Sequence, residues 1–171
     1  MVSKQALFRF LAAAVLWLAG ASALAAGRFE PPVPGLPDYA THFDSTRDPE
    51  ADLQRALAAA AARNQRVLLM VGGDWCVWCF LLDRHFDRDR EAARRFYGGF
   101  EVMRVYYNDD NRNQAFLSKF PDFTLFPHFF VVEADGRVAG SVVADVMIRD
   151  ARYDNELIDR FITSWQPSPA R

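Results

Sequence analysis

Residues 73–79 read GDWCVWC and hold both cysteines of the chain, Cys76 and Cys79. They follow the apolar run Val67–Val71 directly, with two glycines at the junction. This order predicts a buried strand, a turn and then a helix that begins near Cys76 and runs to about His85. A helix N-terminus carries unpaired N–H groups and a partial positive charge, and both stabilise a thiolate.

Two interpretations of the cysteine pair are open from the residues alone. As a redox couple, Cys76 would be the attacking thiolate at an exposed helix tip, and Cys79 would point inward and resolve the mixed disulfide. As a structural disulfide, the pair would close only a tiny loop and remove little entropy from the unfolded chain. The small loop favours redox chemistry, so the sequence predicts thiol–disulfide exchange.

Residues 1–25 have the layout of a secretory signal peptide. Lys4 and Arg9 give a basic start, the apolar run Leu7–Leu24 follows, and small residues at its end predict cleavage before Ala26. An uncleaved membrane anchor is the alternative, because the apolar run is long enough to span a bilayer. We therefore expect a periplasmic or secreted protein.

The composition predicts one globular domain that does not bind nucleic acid. The 171 residues include 15 phenylalanines and carry a formal net charge of −2. Basic and acidic residues are interspersed, so the chain lacks the cationic stripe that a nucleic acid would need. The length suits a single hydrophobic core, and we expect a monomer.

Hydrophobic periodicity and turn signals predict alternating helices and strands. A proline-rich arm over residues 26–44 precedes a domain over residues 45–166, and a short tail covers residues 167–171. Asp48 and Pro49 mark the start of the first helix, which ends at Arg63. Beyond the cysteine helix, strands are predicted over residues 100–107, 128–133 and 138–143, and helices over residues 90–97, 113–120 and 154–165.

The connections between these elements predict the sheet. Helical crossovers predict that the first strands are parallel, and the tight turn at Asp135–Gly136 predicts an antiparallel last pair. The fold class is therefore α/β, with a central mixed β-sheet flanked by helices on both faces.

With these elements in place, the chain resembles the thioredoxin superfamily over residues 45–166. The matching features are WCVWC at residues 75–79, the Phe126–Pro127 pair before the penultimate strand, and the closing hairpin and helix. The chain is most similar to exported thioredoxin-like domains with a Trp-Cys-x-Trp-Cys site. The resemblance implies a thioredoxin-like fold and disulfide exchange in protein substrates. It favours the reducing direction, with electrons from a membrane donor.

Two positions depart from the pattern of standard thioredoxins. The residues between the cysteines are Val77 and Trp78 instead of Gly-Pro, which leaves the redox potential and the direction of reaction open. Met70 stands where standard thioredoxins have a buried aspartate that moves protons at the second thiol. Proton transfer would then rely on water or on another side chain, for which Asp74, Asp83 and His128 are the candidates. The alternative for His128 is a satisfied, partly buried histidine.

The predicted substrate-binding residues are Trp75, Trp78, Phe126 and Pro127. Trp75 would form an apolar wall beside Cys76 and Trp78 would be exposed to partners, although packing alone explains either tryptophan. The resemblance implies a cis bond before Pro127; an ordinary trans proline is the alternative.

The predicted redox group is the Cys76–Cys79 disulfide itself, with no other cofactor and no metal. A copper(I) site on the two thiols is the alternative, as is a chaperone-like binding protein with little turnover. A third possibility is an accessory domain whose pair stays oxidised. Covalent haem is excluded on this motif because Phe80, not histidine, follows Cys79.

Overall fold

The computed structural model describes residues 33–167. The predicted signal peptide at residues 1–25, the start of the predicted arm, and residues 168–171 of the tail lie outside the described residues. Among residues 33–167, none of the helices is long and apolar enough to cross a membrane.

Helices and strands alternate along the described chain, close to the predicted order. The helices are α1 Asp38–Thr41, α2 Pro49–Arg63, α3 Val77–Arg88, α4 Arg90–Gly99, α5 Gln114–Leu117 and α6 Asn155–Trp165. The strands are β1 Arg66–Gly72, β2 Phe100–Tyr106, β3 His128–Val132, β4 Val138–Val143, β5 Ile148–Arg149 and β6 Arg152–Tyr153, and a 3₁₀ helix covers Ala144–Met147.

The central sheet has four strands in the order β2-β1-β3-β4, while β5 and β6 form a separate small hairpin. β1 and β2 are parallel, and β3 is antiparallel to both β1 and β4. The predicted mixed sheet is thus confirmed, but parallel pairing holds for β1 and β2 only. The connection from β2 to β3 stays at the carboxyl end of the sheet, where His128 lies opposite Val71, so the chain reverses direction.

Three of the helices have an aspartate as their N-cap residue. Asp48 Oδ1 accepts hydrogen bonds from the backbone N–H groups at the start of α2, as the sequence predicted. Asp89 and Asp154 do the same for α4 and α6. Each cap satisfies donors that the first helical turn leaves free and places a negative charge at the positive end of the helix.

The core lies on both faces of the sheet. Phe129 and Phe130 are adjacent in β3 and fully buried, so their rings point to opposite faces. Phe129 contacts Phe96 of α4 and Phe161 of α6. Phe130 contacts Phe120, which follows α5. Helices therefore cover both faces, as predicted.

Part of the predicted arm is ordered against the domain. Tyr39 of α1 is buried, and its hydroxyl donates a 2.6 Å hydrogen bond to Glu101 Oε1 in β2. Burial and this hydrogen bond both raise the pKa of Tyr39 above its usual value, so the hydroxyl stays a donor. Glu101 also forms an ion pair with Arg63 at the end of α2. The sequence missed α1 because its partner is a buried charge distant along the chain.

Candidate redox site

The two cysteines form a disulfide at the start of α3, with a sulfur–sulfur distance of 2.04 Å. Cys76 is the N-cap residue of the helix, and its Sγ accepts the backbone N–H of Cys79 at 3.1 Å. The carbonyl of Cys76 accepts the N–H of Phe80, which opens the helical hydrogen-bond ladder. One sulfur therefore lies where the free N–H groups of the helix converge.

The prediction that Cys76 lies at an exposed tip is wrong for this disulfide form. Cys76 is 3% exposed and Cys79 is 2% exposed. The Sγ of Cys76 turns back over the helix start, where it is bonded to Cys79 and accepts its N–H. Solvent reaches the neighbouring side chains instead, since Trp75 and Val77 are 48% and 67% exposed. Exposed apolar side chains thus flank a covered sulfur.

Strand β1 approaches the disulfide through a residue that has no side chain. A Cβ added to Gly72 would lie 2.5 Å from Cys79 Sγ and 2.9 Å from Cζ of Phe43. Phe43 follows α1, so the segment predicted as an arm contributes a ring beneath the site. The sequence showed the glycine only as a strand breaker, because the close approach depends on tertiary packing.

The Phe126–Pro127 peptide bond is cis, as the resemblance implied. The Trp75 ring packs edge-on against Phe126 with centroids 5.0 Å apart. The indole Nε1 of Trp75 donates a 2.6 Å hydrogen bond to the carbonyl of Tyr107, whose ring also contacts Phe126. The tryptophan before Cys76 is thereby fixed to the loop that carries the cis proline.

A sequence profile described as thioredoxin-like matches residues 48–134, about half of the chain. The chain belongs to the thioredoxin-like family. No curated protein matches it.

Three solved structures illustrate the similarity of the fold. The disulphide isomerase of Xylella fastidiosa is 25% identical, with a TM-score of 0.57, over 71% of this chain and 93% of that one. The oxidised C-terminal domain of DsbD from Neisseria meningitidis is 19% identical, with a TM-score of 0.49, over 69% and 93%. A poplar thioredoxin h mutant is 17% identical, with a TM-score of 0.45, over 80% and 90%.

In this thioredoxin-like protein one of the two tryptophans differs from its predicted position. Trp78 was expected to be exposed, but it is partly buried, and its carbonyl accepts a 3.0 Å hydrogen bond from the hydroxyl of Tyr153. The two rings also meet edge-on at 6.1 Å. Trp75 is the more exposed tryptophan. The sequence could not place them because Tyr153 belongs to the small hairpin that it did not predict.

Asp83 lies one helical turn beyond Cys79, so both side chains share one face of α3. Its carboxylate forms a two-pronged ion pair with Arg104 of β2, at 2.5 and 2.9 Å. Arg104 lies opposite Met70 in the sheet, next to the position where standard thioredoxins have a buried aspartate. In the sequence, Arg104 could have been noticed only as a charged residue within a largely apolar strand.

Arg104 is buried, and each of its three side-chain nitrogens donates at least one hydrogen bond. Besides Asp83, its guanidinium donates to the carbonyl of Ala40 and the hydroxyl of Tyr97, and it lies 5.2 Å over the ring of Phe43. Burial by itself would lower the pKa of Arg104, but Tyr97 and Asp83 outweigh it and raise the pKa. A permanent positive charge therefore lies behind α3.

The other two predicted proton carriers have different surroundings. Asp74 is exposed on the turn before the cysteines. His128 is buried between Phe123 and Phe130, and its Nε2 bonds Ser141 Oγ at 2.8 Å. Burial lowers the pKa of His128, which keeps the ring neutral.

Within residues 33–167, no group of three or more His, Cys, Asp or Glu side chains could hold a metal ion. A copper(I) site on two thiols alone stays a prediction.

The substitution Gly72→Ala tests the close approach of β1. The new Cβ would overlap Cys79 Sγ, and overpacking of this kind costs about 1–3 kcal/mol. We expect the free energy of unfolding of the oxidised protein to fall by about 2 kcal/mol in urea titrations. Gly98→Ala is the matched control, because a Cβ there meets nothing within 4 Å. It should leave stability unchanged or slightly higher, and an equal loss in both variants would contradict the packing argument.

The lowered pKa of His128 predicts a loss of stability in acid. Below pH ~6.5 a histidine in the unfolded chain is protonated. The folded His128 is still neutral there, because its pKa is lowered. The contribution of His128 is therefore complete above that pH and is lost as the pH falls through the folded pKa, by up to about 1.4 kcal/mol per unit. Urea unfolding from pH ~7.5 to ~5 should show a shallower decline for His128→Phe than for wild type. His42→Phe, which removes an exposed histidine, should keep the wild-type decline.

Proposed function

We propose that this protein is an exported thiol–disulfide oxidoreductase that exchanges disulfides in protein substrates through Cys76 and Cys79. The observation that carries the proposal is the disulfide at the start of α3, whose Cys76 sulfur accepts the N–H of Cys79. The same N–H would bond a Cys76 thiolate and lower its pKa relative to a free cysteine. Membership of the thioredoxin-like family and the similarity to a disulphide isomerase support the same chemistry.

The proposed reducing cycle starts from the dithiol form. The Cys76 thiolate attacks one sulfur of a substrate disulfide, so that a mixed disulfide forms and the other substrate sulfur leaves as a thiolate that takes up a proton. Cys79 then loses its proton and attacks Cys76 Sγ. The second substrate thiol is released, and the Cys76–Cys79 disulfide is the product. Two electrons pass to the substrate, and the cysteine pair needs no other cofactor.

We propose that substrates dock on the surface formed by Trp75 and Phe126, next to the buried Pro127. Trp75 is half exposed and is fixed to Phe126 and Tyr107, so it offers an apolar wall in a fixed position. The cis Phe126–Pro127 bond lies in the same ring cluster, and an extended substrate segment could pair with the backbone there. Trp78 would support this site from inside, since it is partly buried.

The proposal also includes export of the protein and the direction of the thiol–disulfide reaction. The basic and apolar start of residues 1–25 supports export to a periplasmic or extracellular space. A protein working there as a reductase would need electrons from a membrane donor, because such compartments are oxidising. We propose this direction and leave isomerisation, which uses the same thiol exchange, as the alternative.

Asp83 is the proposed proton acceptor for Cys79. It lies on the same helix face as Cys79, one turn further on, and Arg104 fixes the position of its carboxylate. This ion pair would take over the role of the aspartate that Met70 replaces. Asp74 is exposed and could exchange protons with solvent, while the neutral ring of His128 has Phe123, Phe130 and Ser141 as neighbours.

Cysteine variants test the reaction directly. In an insulin-reduction assay with dithiothreitol as electron source, Cys76→Ser should show no activity above background because it lacks the attacking sulfur. Cys79→Ser should still attack but accumulate mixed disulfides with substrate, visible on non-reducing gels. Wild-type activity equal to that of Cys76→Ser would remove the enzyme proposal and favour a binding protein with the same fold.

Asp83→Asn separates proton transfer from attack. We expect release of the second substrate thiol to slow by about 10²-fold in stopped-flow experiments, while the first attack by Cys76 keeps its rate. Asp87→Asn, an exposed carboxylate on the next turn of α3, is the control and should change neither step. Urea titration checks that Asp83→Asn is folded, since Arg104 loses its charged partner. An equal slowing of both steps would argue against a role of Asp83 at Cys79.

A further inference from the structure

A groove lies along α3 next to the cysteine turn, and neither Phe126 nor Pro127 lines it. It has a volume of about 370 Å³ and is formed by α3 together with the β5–β6 hairpin. The residues that matter for its chemistry are Phe80, Leu81, Arg84, Arg88, Arg152 and Tyr153. The volume suits a short segment of chain or a few side chains, and not a folded element.

Three of these groove residues are arginines without an acidic partner. Among residues 33–167, Arg84, Arg88 and Arg152 form no ion pair, although Arg84 lies 5.8 Å over the ring of Phe80. Elsewhere on the surface, exposed arginines have carboxylates nearby: Arg94 pairs with Glu91 and Arg160 with Glu156. Asp87 and Asp150 are neighbours in sequence, but neither lines the groove. No carboxylate among the groove-lining residues therefore neutralises the three arginines.

Exposed apolar side chains lie between these charges. Phe80 is 57% exposed and Leu81 is 37% exposed, although both belong to a helix with a well-buried opposite face. Guanidinium groups beside apolar side chains can bind a carboxylate with two hydrogen bonds while the apolar surface takes a neighbouring side chain. Phosphate polyanions would use the arginines but leave Phe80 and Leu81 without a partner.

The groove is connected directly to the redox site. The hydroxyl of Tyr153 in its wall donates a hydrogen bond to the carbonyl of Trp78, between the two cysteines. The hairpin that carries Tyr153 and Arg152 turns through Asp150 and Ala151, which both have positive φ angles, of 50° and 56°. This tight turn sets Arg152 opposite α3.

We propose that this groove docks an acidic segment with an apolar side chain from the protein whose disulfide is exchanged at Cys76. The inference rests on the proposed function, because it assigns the class of protein partner that the redox site acts on. Unbalanced positive charge attracts the acidic segment, the exposed apolar pair gives it a contact surface, and the link to Trp78 keeps the docked segment beside the disulfide. Charge of this kind acts mainly on association and specificity.

Two synthetic peptides test the proposal on the full protein. Both contain one internal disulfide and a short tail with Leu and Phe; the tail of one carries aspartates, and the other carries asparagines at the same positions. At low ionic strength we expect kcat/KM for the acidic peptide to exceed that for the amide peptide by about tenfold, through a lower KM. The ratio should approach one in about 0.5 M salt, where screening acts over a few ångström. Equal kcat/KM values at low salt would overturn the proposal.

The triple variant Arg84→Gln, Arg88→Gln and Arg152→Gln locates the effect. It should lose the preference for the acidic peptide and keep kcat with the amide peptide. The matched control, Arg94→Gln, Arg112→Gln and Arg160→Gln, removes the same charge from other exposed sites and should keep the preference. A preference retained by the groove variant would assign the acidic peptide to another surface. If the triple variant does not fold, the single variants Arg84→Gln and Arg152→Gln replace it; each should lower the preference for the acidic peptide, and an unchanged preference in both would overturn the groove assignment.

Two further measurements separate the possible failures. Reduction of a small, uncharged aromatic disulfide reports the cysteine chemistry without docking. If the wild-type protein reduces neither this compound nor either peptide, the proposed function fails; if it reduces all three without preference, only the groove assignment fails. An oligonucleotide that inhibits as strongly as the acidic tail at equal charge would overturn the protein-partner assignment in favour of a general polyanion site.

Discussion

The redox site depends on the direct packing of strand β1 against the first turn of helix α3. Gly72 ends the strand without a side chain, so Cys79 Sγ and the ring of Phe43 can both lie against its backbone. The disulfide then fixes the start of the helix at this point, with Cys76 as the cap. A larger residue at the strand end would displace the sulfur, and the hydrogen bond from the Cys79 N–H that favours a Cys76 thiolate would move with it.

A buried positive charge behind the helix is the second constraint. Arg104 lies in the middle of β2, and its guanidinium bonds Asp83 of α3, Tyr97 of α4 and the backbone of α1. Such a charge is tolerated in a core only when all its donors have acceptors. The same contacts therefore hold four elements together and fix a carboxylate one turn beyond Cys79. Stability and the proposed proton transfer depend on one ion pair.

The proposed recognition surfaces and the disulfide lie at different depths in the site. The disulfide is covered, while exposed apolar side chains surround it: Trp75 toward the cis proline, and Phe80 and Leu81 toward the basic groove. Each side is fixed to the cysteine turn by one hydrogen bond, from Trp75 to Tyr107 and from Tyr153 to Trp78. A partner that contacts both sides would lie across the sulfur pair. In the proposed function, these exposed apolar side chains beside the disulfide would contact the partner.

The sequence alone determined the features that depend on neighbours along the chain. The strand before the cysteines, the helix that begins at Cys76, the Asp48 cap and the Asp135–Gly136 turn all follow from local periodicity and turn chemistry. Tertiary structure decided which side chains are covered and paired. Cys76 is buried, Trp78 is less exposed than Trp75, β3 runs opposite to β1, and Arg104 finds Asp83. These outcomes depend on partners far away in sequence, such as Tyr153 for Trp78 at a separation of 75 residues, and no local pattern records such a contact.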